Sequence, residues 1–195
     1  VISRDQPKHS IRSLKTSTQH SNRTDTTQIL PDVIVPDLTV LFCGSAASTK
    51  SALLGAYYAG PGNRFWPILH EIKLTPRTLR PSEFMCLPDY GLGLTDLAKS
   101  VSGADSSLPG DAYDPDLLTK KVIKFRPSIL AFNGKTPARA FLKHPIIYGL
   151  QPELTGDSNI FVLPSTSAVA RRYWDSGPWY ALSYLVADHA ELTKS

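Results

Sequence analysis

Gly44-Ser45-Ala46-Ala47-Ser48-Thr49-Lys50-Ser51 is the first segment whose residue types and spacing suggest chemistry. It follows an apolar run and nearly fits G-x-x-x-x-G-K-[ST], the loop in which backbone amides cradle phosphates and a lysine reaches them. Thr49 occupies the second glycine position, where a side chain obstructs the close backbone wrap. Gly55, Gly60, Pro61 and Gly62 then interrupt the helix that such a loop should open. Later apolar runs end at Asn133 and Pro164 rather than at a magnesium-binding Asp, so a nucleotide hydrolase stands only as an alternative. His70, beside Glu71, and His144, before Pro145, form no His-x-x-x-His pair, and no metal site or cofactor is expected. The two cysteines, Cys43 and Cys86, are too few to organise a disulfide framework or a Cys-based zinc site, and both are expected to be buried.

These residues need a scaffold, and the apolar runs supply one. Asp37 to Cys43 is an apolar run of strand length ending at Gly44, the pattern of a strand buried on both faces. Ser128 to Asn133 and Ile160 to Leu163 repeat it. Between them lie helical patterns: Asn63 as a cap before Phe65, Ile68, Leu69 and Ile72; a shorter helix from about Pro81; Asp114-Pro115 opening a helix whose buried side is Leu117, Leu118, Val122, Ile123 and Phe125; Thr136 to Leu142; and a last helix from Asp175-Ser176-Gly177-Pro178 carrying Trp179, Leu182, Leu185 and Val186. Asp89 to Asp96 reads as strand and loop, and residues 99 to 112 as an exposed loop. Alternating buried strands and amphipathic helices predict an α/β fold, a three-layer α/β/α sandwich with a short, mostly parallel central sheet. Ligands gather at the carboxyl ends of such strands. Segments 44–64, 89–96, 133–135 and 164–172 therefore carry the candidate site.

Composition sets the outer bounds. At 195 residues, with 42% hydrophobic and 19% charged residues, the chain suits one well-buried domain. No run of eighteen apolar residues or signal-peptide core is visible, so a cytoplasmic protein is expected, nucleoid-associated if bacterial, with no membrane partner. Residues 1–30 hold five basic residues against two acidic ones, most of the net charge of +4. This polar, basic tail is expected to be disordered, either an unselected extension or a loose tether to nucleic acid, with residues 31–195 forming a single catalytic domain.

Five segments together carry a resemblance. Val40-Leu41-Phe42-Cys43-Gly44, Tyr57-Tyr58-Ala59-Gly60-Pro61-Gly62-Asn63-Arg64-Phe65-Trp66, Asp89-Tyr90-Gly91-Leu92-Gly93-Leu94-Thr95, Phe132-Asn133-Gly134-Lys135 and Val162-Leu163-Pro164-Ser165-Thr166-Ser167 resemble, in order and spacing, the mismatch-specific uracil-DNA and thymine-DNA glycosylase family. The Asn-Arg-Phe-Trp and Leu-Pro-x-x-Ser blocks are the specific ones, and the likeness covers residues 38 to 187. It implies a metal-independent DNA glycosylase of base excision repair. Such an enzyme flips uracil, or in some members thymine, out of a G:U or G:T mispair in double-stranded DNA and leaves an abasic site. A monomer without cofactors is expected.

The resemblance also assigns places. Tyr58 falls where the family stacks an aromatic on the flipped base, with Gly44, Ser45, Ala46, Ala47 and Asn63 around the base pocket. Asn63 and Arg64 read as helix cap and surface ion-pair partner ahead of support for the pocket wall. Ser165, Ser167, Ala168, Val169 and Arg171 fall on the loop inserted into the duplex, Val169 at the wedge and Arg171 near the orphaned base or phosphate. The departure is in the first motif, where the family reads Gly-Ile-Asn-Pro-Gly and its Asn positions the attacking water; Ala46 stands at that position here. Asp96, following Leu94-Thr95 beside the implied site, is the candidate to orient water in its place. Lys50 and Lys135 have nothing that marks them for a Schiff base, so a monofunctional enzyme is expected. If Asp96 lay far from Tyr58, a mismatch- or abasic-DNA-binding module without turnover would be the alternative. Two alanines in the first motif predict a wide base range.

Overall fold

A computed structural model gives the fold and describes residues 28–192. The expected tail falls largely on residues 1–27, outside the described residues. Ile29 and Leu30 already belong to the packed domain: Leu30 is buried, and the Ile29 amide bonds the Lys99 carbonyl at 2.9 Å.

Five strands form one sheet: β1 (Val40–Gly44), β2 (Leu92–Asp96), β3 (Ile129–Asn133), β4 (Gly149–Thr155) and β5 (Ser158–Leu163), in the order β2-β1-β3-β5-β4. β1 runs parallel to both β2 and β3, and β3 parallel to β5; only β4, on the edge, is antiparallel. Every residue of β1 is buried, and its side chains alternate between two cores. Val40 and Phe42 face one core with Phe65, Leu69 and Trp179; Leu41 and Cys43 face the other with Leu118, Val122 and Ala138. The first core lies under α2 (Phe65–Glu71) and α5 (Gly177–Leu192), the second under α3 (Pro115–Phe125) and α4 (Lys135–Leu142). The result is the predicted three-layer α/β/α arrangement with a mostly parallel sheet.

Local chemistry explains most boundaries. The Asp114 carboxylate caps α3 by accepting from the Leu117 amide at 2.8 Å, with Pro115 at the first helical position. Asn63 Oδ1 accepts from the Phe65 amide at 3.0 Å and steadies the start of α2. The buried stripe of α3 is narrower than predicted. Leu118 and Val122 are buried, one turn apart, whereas Leu117 and Ile123 are exposed, because a short helix touches the sheet along a single i, i+4 row. β4 was not predicted: its exposure alternates, Pro152 lies inside it, and its register shifts between Leu150 and Leu154, features tolerated only at an edge. Cys86 is exposed rather than buried, on the outer side of a 3-10 turn over Pro81–Tyr90. Asp89, also on that turn, is exposed.

β2 and β3 leave β1 on opposite sides, so the chain reverses direction of build at β1 and a crevice opens beyond the carboxyl ends of these strands. Gly44, Asp96 and Asn133 are the terminal residues of the three strands.

Candidate active site

A cavity of about 630 Å³ occupies that crevice. All four predicted segments contribute to its wall: 44–51 with Tyr57, Tyr58 and Asn63; Asp96; 133–136; and Ser165–Ser167 with Val169 and Ala170. The segment 103–106, part of the predicted exposed loop over 99–112, closes a further side.

The loop after β1 is held by its carbonyls. Those of Gly44, Ser45 and Ala47 accept from the amides of Leu97, Ala98 and Gly103 at 2.9, 2.8 and 2.9 Å. Ser48 is committed to structure: its hydroxyl oxygen accepts from the Ser51 amide at 3.1 Å and caps the six-residue α1 (Thr49–Leu54). Gly55 ends that helix in the left-handed conformation, with φ 61°. A phosphate-cradling loop with a long following helix is therefore absent from this segment. Ala46 and Ala47 give the cavity wall no polar side chain.

Asp96 ends β2 directly beside Gly44 in register and is only 5% exposed. Burial pushes its carboxyl up from the ordinary 3.8 to about 6, against the lowering influence of Lys99. Asp32 raises it further; a hydrogen bond from the Tyr57 hydroxyl and the more distant Lys121 lower it. Lys99 is the residue that sequence reasoning missed. Placed in a nominally exposed loop, it is buried, with its ammonium 2.9 Å from Asp32, 3.8 Å from Asp96 and 2.9 Å from the Tyr57 hydroxyl. Asp32 also pairs with Lys121 and accepts from the Thr95 hydroxyl at 2.7 Å. Burial alone would raise the Asp32 carboxyl; its two lysines more than offset this and hold it below the usual range. The available signal was the i, i+3 spacing of Asp96 and Lys99, which is too common on surfaces to single them out.

Tyr58 stands on the cavity wall. Its ring is stacked on Phe65, centroids 4.0 Å apart and planes 26° apart, so one face is covered by protein while the residue lines the cavity. Its backbone is left-handed, φ 53°, a conformation costing a non-glycine residue about 1 kcal/mol. Neighbouring bonds hold the turn: Ala59 N–H donates to Ser51 Oγ at 3.2 Å, and the Trp66 indole donates to the Tyr57 carbonyl at 3.2 Å.

The loop that the resemblance assigns to the wedge is built against the same wall. Asn133 clamps it, donating to the Thr166 hydroxyl at 2.8 Å and accepting from the Thr166 amide at 3.0 Å. The Arg64 amide bonds the Thr166 carbonyl at 2.9 Å, and the Arg64 guanidinium lies 5.1 Å over the Trp174 ring. Ser165 Oγ accepts from the Ser167 amide at 3.3 Å. Ala168 opens a 3-10 turn over Ala168–Tyr173 that leaves Val169 89% exposed. Ala168 and Arg171 stand just outside the cavity wall and pack over Gly62, whose φ of 72° and lack of a side chain admit them: an added Cβ would lie 3.1 Å from the Arg171 guanidinium.

The uracil DNA glycosylase superfamily model matches residues 31–186. The chain belongs to this superfamily. A solution structure from Methanosarcina acetivorans, provisionally described as a uracil DNA glycosylase, is similar in fold, with a TM-score of 0.57 at 20% identity over 81% of this chain and 96% of that one. Membership makes the protein a DNA N-glycosylase, a hydrolase of N-glycosyl bonds acting on DNA in repair.

Within a glycosylase cavity the arrangement has clear capacities. Tyr58 offers an aromatic floor for a base, Asp96 a buried acceptor at its inner end, and Val169 an exposed apolar tip at its rim. Asn63 is not the cap that was expected: Arg64 holds the cap position of α2, and Asn63, one residue earlier, accepts from the Phe65 amide through its side-chain oxygen and lines the wall. The Lys135 ammonium lies 4.2 Å over the Tyr148 ring.

Proposed function

We propose that this glycosylase excises uracil, and with it thymine or other deaminated or damaged bases, mispaired with guanine in duplex DNA, leaving an abasic site. The observation that carries the reading is Asp96, buried at the end of β2 in the same cavity as Tyr58. A module that only binds DNA has no use for a desolvated carboxylate there.

The steps follow from the geometry. A mispaired base leaves the stack at lower cost than a paired one and slides onto the open face of Tyr58. Val169 fills the gap left in the duplex, and Arg171 attends the opposite strand. As the C1′–N bond breaks, its electron pair departs with the base and positive charge grows on the sugar. The Asp96 carboxylate stabilises that charge and orients a water whose oxygen bonds to C1′ while its proton passes to the carboxylate. Ala46 and Ala47, in place of larger side chains, leave room for bases bulkier than uracil. Neither Lys50 nor Lys135, the two lysines of the cavity wall, is marked as a Schiff-base nucleophile, so the reaction ends at the abasic site with the strand uncut.

The test is single-turnover incubation with an end-labelled duplex carrying one G:U mispair, followed by alkali. Alkali-dependent cleavage that persists with a chelator and falls at least about tenfold in Asp96→Asn, without comparable loss of DNA affinity, is expected. Full cleavage by Asp96→Asn refutes the assignment of Asp96.

A further inference from the structure

The residues that precede β1 take no part in the reaction as drawn, yet they are built into the site. β2 is an edge strand, and Ile29 to Val33 lie along its free side. The Val33 and Leu94 amides each donate to the other's carbonyl at 2.9 Å in an antiparallel bridge. That pairing sets Asp32 opposite Thr95, whose hydroxyl donates to its carboxylate at 2.7 Å. Leu30 is buried and reaches the cavity wall, and the Ile29 amide donates to the Lys99 carbonyl at 2.9 Å. The segment thus brings a carboxylate to the inner end of β2, one residue along the sheet from Asp96.

There Asp32 decides where Lys99 places its charge. The ammonium lies 2.9 Å from Asp32 Oδ1 and 2.9 Å from the Tyr57 hydroxyl, both hydrogen-bond lengths, but 3.8 Å from Asp96 Oδ2, beyond one. Asp96 takes its hydrogen bond from the Tyr57 hydroxyl instead. A buried ammonium must sit on a carboxylate; Lys99 has two close by and rests on Asp32. Asp32 is itself fixed from two further elements, by Thr95 on β2 and Lys121 on α3. The other ionisable groups facing Asp96 are Cys43 on β1 and Tyr57 and Tyr58 after α1, all held protonated by burial far above their ordinary ranges. Charge around Asp96 therefore comes from Lys99, Asp32 and Lys121.

Resting on the assignment of Asp96, we propose that Asp32 is a positioning residue for the reaction: it keeps the Lys99 ammonium on its own carboxylate and off Asp96, leaving Asp96 free to take the proton of the attacking water. Without the Asp32 charge, Lys99 has Asp96 as its nearest carboxylate and needs to close about 1 Å to make a direct ion pair. Asp96 so paired stays ionised to lower pH and is the weaker proton acceptor. Asp32 acts through Lys99 and touches neither base nor sugar.

Asp32→Asn keeps the shape and the bond from Thr95 while removing the charge. Single-turnover cleavage of a G:U duplex followed across pH should show its acid limb about one unit below the parent's and its plateau about tenfold lower, with affinity for a duplex carrying a stable abasic-site analogue unchanged. A merely structural Asp32 would lower stability or yield of active protein without moving the limb. An unmoved or raised limb in Asp32→Asn, with Asp96→Asn inactive, overturns the role of Asp32 and leaves Asp96 standing; a fully active Asp96→Asn overturns the reading beneath it. The same change made in Lys99→Met removes the lysine that would be released, and it restores charge balance should Asp32→Asn alone fail to fold. In that background the limb should move by about half a unit at most relative to Lys99→Met. A full-unit fall there overturns the proposal, because Asp32 would then act without Lys99.

Discussion

Replacing Asp96 by Asn should stabilise the protein as the solution becomes more alkaline, in step with the loss of catalysis. The carboxyl has an ordinary value of 3.8 and is raised to about 6 in the fold, chiefly by burial. A group whose value is raised on folding lends stability below its unfolded value and loses it as pH climbs through the folded one. Ionising Asp96 inside the protein therefore costs about 3 kcal/mol more than in the unfolded chain. Slightly more than half of that cost is already present at about pH 5, and the remainder, about 1.4 kcal/mol, develops by about pH 8. Asn has no proton to lose, so the stability difference between variant and parent should shift by that amount between the two conditions. With a urea slope of about 2 kcal/mol per molar, the midpoint difference moves by about 0.7 M. Other titrating groups, Asp32 among them, are common to both proteins and cancel. On the proposed mechanism the same proton governs catalysis: cleavage by the parent should rise with pH around a midpoint near 6, because only the ionised carboxylate accepts a proton from water. A midpoint difference that stays flat from pH 5 to 8 would refute the desolvation argument, whatever the cleavage assay shows.

Lys99→Met should move the acid limb of cleavage to higher pH by about one unit, because it removes the leading influence that lowers the Asp96 carboxyl; a limb that does not move would separate Lys99 from the site. The same substitution leaves Asp32 with Lys121 alone and the Tyr57 hydroxyl without its cation, so a stability loss of about 3 kcal/mol in urea should accompany it. Val169→Ala should leave the unfolding midpoint within about 0.5 kcal/mol of the parent, since the side chain is almost wholly exposed. Cleavage and abasic-duplex affinity should each drop severalfold in that variant, and an unchanged affinity would show that the turn does not enter the duplex.

The layered fold was legible because β1, β3 and β5 are apolar runs of strand length, too short for a buried helix, and because Asp114-Pro115 and Asn63 mark where helices begin. β4 was not, since an edge strand with an interior proline carries no alternation strong enough to announce itself. At the site, segments from four parts of the chain converge as their spacing implied, and Asp96 and Tyr58 share one cavity. The buried charge cluster escaped notice for a physical reason. Thr95 and Lys121 meet Asp32 across 63 and 89 residues of sequence. Lys99, in a stretch of small polar residues, gives no sign of burial until Asp32 and Tyr57 are known to surround it.

On the proposed reading of Asp96, the cluster explains how an acid at the end of β2 can act where Ala46 supplies no amide. A buried carboxylate with a lysine at close range is ordinarily locked in its ionised form and held in the pair, a poor proton acceptor. Here the lysine is shared unequally: Lys99 lies 2.9 Å from Asp32 and 3.8 Å from Asp96. Asp32 takes the closer contact and a second lysine as well, and its own charge pushes the Asp96 carboxyl up while Lys99 pulls it down. Asp96 is left partly compensated, ionised at neutral pH yet able to take a proton when a neighbouring water begins to lose one. An asparagine needs no such support, because an amide orients water without carrying charge. Substituting an acid therefore demands a counter-charge close enough to keep it ionised and occupied enough not to hold it, and the Asp32–Lys99–Lys121 arrangement behind β2 meets both conditions.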